Sequence, residues 1–475
     1  MKTRWEKTMA LFAVALSLSG CVTARPKEIS PAKMAAAFEG RTLDNPGFKQ
    51  LLEANLGRAV APWPPKSWDF SMLSIAAFYH HPDLAVVRAR WNVAEAGVMT
   101  AGGRPNPSAS FTRERNADAP EGKSPRILGY ALGIPIETAG KRGYRIDQAE
   151  HLSEAARLQI ANTAWQIRSR LRAALLDVYA SDLAETILVR QESNQAEIVK
   201  LLEQRMASGV VSTFEVIQSR QALDRTRLSL QETFRQKSEA RVKLAVAIGL
   251  PVTALDSANI YYDFLEKLPK IKNLPIGKIR QQALQSRPDI LAGLAEYAAA
   301  CSALQLEIAK RYPDIQLGPG YAWDQGDRKW ALGLSATLPI FNQNRGPIAE
   351  AEARVKEAEA GFVARQAQIT GEIDRAIAGY TAALQKLGMA ESILSGRKKQ
   401  QESIRAIYRT GRNADQVEIL KNQASFQIEI DAGTLARVDA LVQAQQALGQ
   451  LEDGAQVPLS PADADTFSFF PNPKP

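Results

Sequence analysis

The chain has 475 residues, a formal net charge of +8 at pH 7 and a hydrophobic fraction of 45%. Its 3 histidines exclude a histidine-rich metal site. Basic residues are interspersed with acidic ones along helical stretches, so the positive charge indicates solvated helix faces and not a nucleic-acid-binding surface.

The N-terminus is typical of a secretory signal. Basic residues precede an apolar run at 9–18, and small residues then lead to Cys21. The run is too short to span a bilayer, so we predict that residues 1–20 are a cleaved signal peptide. The stretch resembles the bacterial lipobox, in which the cysteine thiol receives a diacylglyceryl group, although an ordinary signal with an incidental cysteine is the alternative. Lipidation of Cys21 would leave Cys301 as the remaining thiol and exclude a disulfide framework.

The body of the chain contains two copies of one pattern. We predict a first structural repeat at 69–250, a linker at 251–274 and a second repeat at 275–450. A period this long indicates duplication of one large supersecondary unit and not a solenoid. The paired landmarks keep their order: His81-Pro82-Asp83-Leu84 with Arg287-Pro288-Asp289-Ile290, Pro107 with Pro313, Ile134-Pro135-Ile136 with Leu338-Pro339-Ile340, Lys141-Arg142-Gly143 with Asn344-Arg345-Gly346, and Ser208-Gly209 with Thr410-Gly411.

The segments outside the repeats are rich in proline and lack a helical period. We expect residues 21–68 to form an irregular, lipid-anchored tether that ends packed along the surface of the body. Residues 451–475 are predicted to be a flexible tail, because prolines follow Gly454 in quick succession.

Each repeat is predicted to contain a very long helical hairpin, at 145–248 and at 347–448. Apolar and small residues recur there by threes and fours, which is the spacing of a coiled coil. A helix of some 60 residues is about 90 Å long and must pack against other long helices. The seam residues are Ile160, Ala164, Ile167, Leu171, Ala174 and Val178 in the first repeat and Ile369, Ile373, Ala376, Tyr380, Ala383, Leu387, Ala390 and Leu394 in the second.

Between the helices, each repeat has a predicted strand pair, at 107–136 and at 313–340. Trp330, Leu332 and Leu334 alternate with small residues, so one face is apolar and the other small or polar. A strand of about ten residues with this alternation suits a position between lipid and a watery lumen. Soluble hairpins packed on helices are the alternative. In a membrane, four strands per chain would require several copies to close a barrel, because open sheet edges are not tolerated there.

Taken together, these features resemble the TolC-type outer-membrane efflux factors across nearly all of the mature sequence. The resemblance rests on the order and duplication of the landmarks, on the stretches 339–346 and 244–251, and on the glycine-containing turns at Gly209 and Gly411. It implies a mainly α fold with a transmembrane β part. Each protomer of a homotrimer would supply four strands to a 12-stranded β-barrel, continued by a long α-helical coiled-coil barrel.

The resemblance also implies a location, partners and a docking site. The chain would lie in the outer membrane of a Gram-negative bacterium, anchored by lipid on Cys21, and would extend into the periplasm. A periplasmic adaptor protein would dock at the helix turns, and energy would come from an inner-membrane pump of the resistance–nodulation–division class. The predicted docking residues at this periplasmic tip are Ser208, Gly209, Val210, Val211, Ser212, Thr410, Gly411, Arg412, Asn413 and Asp415, with Asp415 also the gate candidate.

Residues 135–142 and 342–346 are most similar to the branch that serves cobalt, zinc and cadmium resistance. We therefore predict a passive duct for metal cations or small toxic compounds, with no catalytic residues, no cofactor and no metal site of its own. His80 and His81 are adjacent, so we expect a helix-end pair and not two metal ligands. The alternatives are a periplasmic adaptor lipoprotein, a duct of a drug-efflux or type I secretion system, and a lipid-anchored enzyme.

Overall fold

The computed structural model describes residues 28–262, 265–410 and 416–459. The chain divides into two units, Met1–Thr42 and Leu43–Pro475. In the first unit, helix α1 spans Pro31–Glu39. Proline starts this helix and the Ser30 hydroxyl caps it by accepting a hydrogen bond from the Lys33 backbone N–H at 3.5 Å. The predicted signal peptide and Cys21 lie outside the described residues.

The second unit repeats one order of elements: a short helix, a longer helix, two strands, a very long helix and a returning helix. This confirms the mainly α fold with internal repetition. After the preceding helix α2 (Pro46–Leu56), the elements are α3 (Phe70–His80), α4 (Pro82–Ala101), β1 (Ser108–Arg115), β2 (Arg126–Ile136), α5 (Lys141–Ala207), α6 (Thr213–Ile248), α7 (Ile276–Ser286), α8 (Pro288–Ala309), β3 (Ile315–Asp324), β4 (Asp327–Ala336), α9 (Arg345–Thr410) and α10 (Gln416–Ala455), with single-turn 3-10 helices at Val252–Leu255 and Ile271–Asn273.

The long helices pack along the predicted seams. Helix α5 has 67 residues and α9 has 66, so each is roughly 100 Å long. Ile167 and Leu171 on α5 and Ile373 and Tyr380 on α9 are fully buried. The Tyr380 hydroxyl also donates a hydrogen bond to the Pro269 carbonyl oxygen at 2.6 Å, which satisfies the polar end of a buried ring. Helix α5 contacts α3, α4, α6, α8 and α10, whereas α9 contacts α7, α8 and α10.

Residues 43–68 belong to the folded body, so the prediction of an irregular tether is wrong for them. Phe48 on α2 is fully buried and stacks on Trp68 with ring centroids 6.1 Å apart. Trp68 is itself held by backbone hydrogen bonds, from its N–H to the Asn259 oxygen and from the Tyr261 N–H to its oxygen, each 2.8 Å. The prolines that suggested irregular chain instead begin α2 and separate aromatic residues that enter the core.

The C-terminus also differs from the prediction. Helix α10 continues to Ala455, and both Leu451 and Glu452 are fully buried. Beyond the helix, the Leu459 N–H donates to the Glu452 carboxylate at 2.9 Å. Residues 451–459 are therefore part of the helical core and not of a flexible tail, whereas residues 460–475 lie outside the described part of the chain.

Gly249 ends helix α6 at a crowded position. Its φ is +86°, and a Cβ there would lie 2.8 Å from His81 Cα and 2.9 Å from the His80 carbonyl oxygen. We expect Gly249→Ala to lower the free energy of unfolding by about 2–4 kcal/mol, from left-handed backbone strain plus overlap. Gly209→Ala is the control, because φ is +71° there but no atom lies within 4 Å. Its expected cost is about 1–2 kcal/mol. Equal losses in thermal unfolding followed by circular dichroism would contradict the packing argument.

Candidate functional site

The four strands form one antiparallel sheet in the order β1-β2-β3-β4. The pairing of β2 with β3 joins the first repeat to the second. The strand pairs predicted from the sequence are thus brought together into a single surface. Among the described strands, β1 and β4 each have one neighbour, so the outer edge of each is open. Strand β4 ends at Ala336, short of the predicted end at 340.

One face of the sheet is apolar and carries an aromatic row across all four strands. Register places Phe111 opposite Tyr130, Tyr130 opposite Tyr321, and Tyr321 opposite Trp330. The ring centroids of Phe111 and Tyr130 are 5.1 Å apart, and those of Tyr321 and Trp330 are 4.8 Å apart. We call this set the aromatic row. Such rows mark the membrane–water interface in outer-membrane strands.

Below the aromatic row, the same face continues with aliphatic side chains. Ile134 pairs with Leu317, and Leu317 with Leu334. Leu332 and Leu334 are 71% and 70% exposed in the single chain. A continuous apolar face of this kind is costly in water and is covered in the native state, here most simply by lipid hydrocarbon. We refer to it as the outward face.

The opposite face carries small and polar side chains. Register aligns Ser110, Ala131, Gly320 and Ala331 in one row. Other positions on this face are Thr112, Gly129, Gly133, Gly318, Gly333 and Ser335. Small residues leave space beside the backbone, and hydroxyl groups tolerate water. This inward face therefore suits the wall of an aqueous lumen.

Polar contacts fix the sheet to the long helices. The Lys141 ammonium at the start of α5 donates to the Tyr312 carbonyl oxygen at 2.6 Å and to the Asp314 carboxylate at 2.7 Å. At the matching position of the second repeat, the Asn344 side-chain amide donates to the Glu307 carbonyl oxygen at 2.7 Å and to its carboxylate at 2.9 Å. Both contacts reach the end of α8 or the segment after it. The two repeats therefore stabilise equivalent junctions with different groups, an ammonium in the first repeat and a side-chain amide in the second.

The turn between α5 and α6 holds the first half of the predicted docking site. The Val210 N–H bonds to the Arg205 oxygen at 3.0 Å, and Gly209 takes the left-handed conformation that ends the helix. The Ser212 hydroxyl then caps α6 by accepting from the Glu215 N–H at 3.4 Å. The structure thus brings Ser208, Gly209, Val210, Val211 and Ser212 together in one tight turn.

The second half of the predicted docking site is not described. Thr410 closes helix α9, and Gly411, Arg412, Asn413 and Asp415 lie outside the described residues. The role of Asp415 as a gate therefore stays a prediction.

An apolar patch surrounds the described turn. Val210, Phe214 and Ile217 are exposed, and Phe214 is 65% exposed. Beneath them, Val216 packs with Ile198 and Leu202 in a buried cluster that also touches Ala424 and Ile428 of α10. The exposed patch therefore rests on a packed base.

A buried ion cluster ties α5 to the end of α10, and sequence reasoning missed it. The Glu452 carboxylate accepts hydrogen bonds from Arg168 at 2.9 Å and from Arg172. Arg172 also donates to the Gln445 side chain at 2.8 Å, and Gln445 donates to the Leu265 oxygen at 2.6 Å. Burial alone would raise the pKa of Glu452, but the charges of Arg168 and Arg172 outweigh burial and lower it. In the sequence, the available indication was that Arg168 and Arg172 lie four residues apart beside the α5 seam. Their partner could not be recognised, because Glu452 lies in the segment predicted to be a flexible tail.

A second ion pair joins the same helices nearer the turn. Asp431 on α10 is fully buried, and Arg190 on α5 donates to it, with one nitrogen–oxygen distance of 3.2 Å. The Gln427 amide donates to the same carboxylate at 3.0 Å. Since α5 and α10 belong to different repeats, both ion clusters hold the two halves of the body together.

Asp453 gives a pH-dependent prediction. Burial raises its pKa from 3.8 to about 6, although the Ser169 hydroxyl and the charge of Arg168 act in the opposite direction. A raised folded-state pKa favours the protonated form, so its contribution to stability is complete below pH 4 and is lost as pH rises through 6. We expect Asp453→Asn to raise the free energy of unfolding at pH 7 by up to about 3 kcal/mol, with no gain at pH 4. Thermal unfolding at both pH values measures this.

The exposed Asp224, whose side chain is 70% accessible, provides the matched control for Asp453. Asp224→Asn is expected to change stability by less than about 0.5 kcal/mol at either pH. A gain from Asp453→Asn that is equal at both pH values would contradict the assignment.

His80 and His81 lie at the junction of α3 and α4. The His81 ring nitrogen caps α4 by accepting from the Asp83 N–H at 3.2 Å. Burial lowers the pKa of His81, while the carboxylate of Asp83 partly opposes this and Arg170 adds to it.

In the described part of the chain, no cluster of three or more histidine, cysteine or acidic side chains could hold a metal ion. None of the helices within those residues combines the length and apolar character needed to span a bilayer.

The sheet has one lipid-compatible face and one small-residue face, and it is joined to helices roughly 100 Å long. These features define a class of protein, namely a subunit of a membrane duct that continues into an aqueous compartment. Comparison with known proteins agrees. The chain belongs to the outer membrane efflux protein family, whose model matches residues 75–250 and 279–452. Its location is therefore the outer membrane, and the family and fold are those of channel proteins.

Individual relatives carry different names. The chain is 25% identical to the cobalt-zinc-cadmium resistance protein CzcC of Cupriavidus metallidurans over 351 residues, which cover 72% of this chain and 79% of that protein. It is also 25% identical to the pyoverdine export outer membrane protein OpmQ of Pseudomonas aeruginosa over 302 residues, with 59% and 62% covered. Among solved structures, the outer membrane protein VceC of Vibrio cholerae superposes with a TM-score of 0.64 at 19% identity, covering 81% of this chain and 95% of that one.

Proposed function

We propose that this chain is one of three identical, lipid-anchored subunits of an efflux duct that crosses the outer membrane and the periplasm. The observation that carries the proposal is the sheet, which has an outward apolar face, an inward small-residue face and open edges at β1 and β4. In a membrane, each open edge must pair. Three copies in a ring would pair β4 of one chain with β1 of the next and give 12 strands, which leaves a lumen.

The lipid anchor is proposed at Cys21, where a thioether-linked diacylglyceryl group would supplement the barrel in holding the protein at the membrane. Metabolic labelling with tritiated palmitate tests this. Wild type is expected to incorporate label, whereas Cys21→Ser is not. Cys301→Ser is the matched control, because it removes the other cysteine of the chain and leaves the signal intact.

We propose that the turns between the long helices receive a periplasmic adaptor, which connects the duct to an inner-membrane pump of the resistance–nodulation–division class. The exposed Val210, Phe214 and Ile217 support this, because an apolar patch at a helix turn favours contact with another protein. The second turn, with Gly411, Arg412, Asn413 and Asp415, is included by analogy between the repeats. Asp415 of three copies would form an acidic ring at the entrance.

Phe214→Asp is expected to weaken adaptor binding while leaving the trimer intact, because the Phe214 side chain is 65% exposed in the single chain. A buried apolar anchor at a protein interface typically contributes 2–4 kcal/mol, so loss of Phe214 should weaken binding by about 30-fold or more. Crosslinking to the adaptor and export by the complemented strain measure this.

Leu228→Asp is the control for the docking prediction, because Leu228 is 72% exposed on the same helix but lies away from the turn. Equal loss of adaptor binding in both variants would place the contact elsewhere.

We propose metal cations as the cargo, supported by similarity to the cobalt-zinc-cadmium resistance protein. The similarity to a pyoverdine exporter favours a second candidate, the export of small organic compounds. A duct need not bind its cargo tightly, so selection would reside in the pump. A deletion strain sensitive to zinc, cobalt or cadmium alone supports the first candidate. Sensitivity to organic compounds alone rejects it.

A further inference from the structure

Charged side chains near the turns of the sheet are sorted by face. Beyond the aromatic row, the outward face carries Arg113 and Arg115 of β1, Arg126 of β2 and Arg328 of β4, and no acidic residue. The side-chain alternation of a strand places them there, because Arg113 and Phe111 share a face, as do Arg126 and Tyr130, and Arg328 and Trp330. We call these four residues the arginine cluster.

The inward face at the same level has the opposite character. Glu114, Asp324 and Asp327 point to the lumen side by the same alternation. Lys329, also on this face, binds the Asp324 carboxylate at 2.5 Å, and Lys123 of the β1–β2 turn binds Asp327 at 3.3 Å. Asp324 and Asp327 are therefore on the other side of the sheet and engaged by lysines, and Glu114 also faces that side. Asp118 and Glu121 of the β1–β2 turn form no ion pair with the arginine cluster within the described residues.

The arginine cluster is not neutralised from within the protein. All four residues are exposed. Within residues 28–262, 265–410 and 416–459, no ion pair joins their guanidinium groups to a carboxylate. Register also sets Arg115 directly opposite Arg126, with Arg113 on the diagonal, which places the three Cβ atoms within about 5–8 Å. Like charges in a cross-strand pair repel, so an external anion beside the arginine cluster would stabilise this arrangement.

The geometry points to the phosphate groups of an anionic lipid head group as that anion. Arg113 and Arg328 lie two residues beyond the aromatic row, and Arg115 and Arg126 lie four residues beyond it. The arginine cluster is therefore at the level where head groups meet the hydrocarbon. A planar guanidinium binds phosphate oxygens through two parallel hydrogen bonds, and several together suit a head group that carries more than one phosphate. We therefore propose that the outward face binds phosphate-bearing glycolipid of the outer leaflet.

The choice of leaflet rests on the proposed function. The turns at 116–125 and 325–326 lie at the end of the sheet away from the long helices. If the helices are in the periplasm, as proposed above, this end of the sheet faces the cell exterior and its arginines lie in the outer leaflet. In a closed trimer, Arg328 at the β4 edge would lie beside β1 of the next copy. Three copies of the arginine cluster would then be spaced around the barrel.

The test uses the full-length lipidated protein, purified as an outer-membrane trimer, and lipid A as the probe. Binding is measured by displacement of fluorescent lipid A in detergent. The triple variant R113Q/R115Q/R126Q is expected to bind about 100-fold more weakly, since each basic residue near an anionic surface typically contributes about fivefold. R113K/R115K/R126K keeps the charge and is expected to stay within about tenfold of wild type.

The matched control is R88Q/R90Q/R104Q, which removes three exposed arginines from α4 and the segment after it. It is expected to bind lipid A as wild type does. Enzymatically dephosphorylated lipid A should not displace the probe, and millimolar inorganic phosphate should not compete. The proposal is overturned if dephosphorylated lipid A binds equally well, if free phosphate competes, if the control variant loses as much, or if the lysine variant binds as weakly as the glutamine variant.

These outcomes are separable from failure of the proposed function. If wild type is not recovered from the outer membrane as a trimer, the proposal of a trimeric duct is wrong, and the lipid assay cannot be carried out. If the trimer forms and exports but lipid A binding is independent of the arginine cluster, only the lipid proposal fails.

Discussion

Glu452→Gln is expected to lower the free energy of unfolding by about 3–5 kcal/mol. The substitution keeps the size of the side chain but removes the negative charge that faces Arg168 and Arg172, all three residues being at most 3% exposed. A buried charge that loses its counterion costs far more than a surface one, because water cannot replace the lost interaction. Urea unfolding of the detergent-solubilised protein, followed by circular dichroism at pH 7, measures the change.

Glu154→Gln is the matched control. Glu154 pairs with Arg157 on the same helix, but the two side chains are 44% and 35% exposed. Its expected cost is about 0–1 kcal/mol. The contribution of Glu452 should also depend on pH: its lowered pKa means that the stability is present at neutral pH and is lost as pH falls through the folded-state pKa. Similar losses in the two variants would show that the buried cluster does not hold the repeats together.

Leu334→Arg is expected to prevent assembly in the outer membrane. Leu334 lies on the outward face, below the aromatic row, where an arginine near the bilayer midplane costs about 2–4 kcal/mol per copy. A trimer would carry three copies, so the total cost is comparable with the stability of a whole domain. The amount of trimer in sedimented outer membranes, compared with wild type at equal synthesis, measures the effect.

Ser335→Arg is the control for membrane insertion. Ser335 follows on the same strand and occupies the inward face, where charge meets water. We expect this variant to insert normally, with any loss confined to export. Normal insertion of Leu334→Arg, or loss of both variants alike, would mean that the outward face does not contact lipid.

The two repeats are similar in fold and different in detail at places that bear on function. The α5 junction uses Lys141, whereas the α9 junction uses Asn344. The turn at Ser208–Ser212 has no ionisable residue, whereas its counterpart carries Arg412 and Asp415. A trimer would thus present six related but unequal surfaces, so an adaptor could distinguish alternate positions around the ring.

Much of this architecture is encoded locally and could be predicted from sequence. The first helical hairpin ends at Ile248 and the first strand pair ends at Ile136, as predicted. The α9 seam, with Ile369, Ile373 and Tyr380, is buried as predicted. Periodicity suffices in these cases because a helix of this length repeats the same environment at each heptad, and because the sheet exposes alternate residues to lipid and water.

Only the tertiary structure decided which distant segments complete the core. Residues 43–68 look irregular because proline interrupts their period, yet Phe48 and Trp68 are buried against helices from elsewhere in the chain. Glu452 looks like part of a polar tail, yet it faces Arg168 and Arg172 from across the molecule. The sequence by itself determined the repeats, the long helices and the two-faced strands, since these depend on neighbours along the chain. Burial of an isolated aromatic or charged side chain depends on partners hundreds of residues away, and no local pattern specifies them.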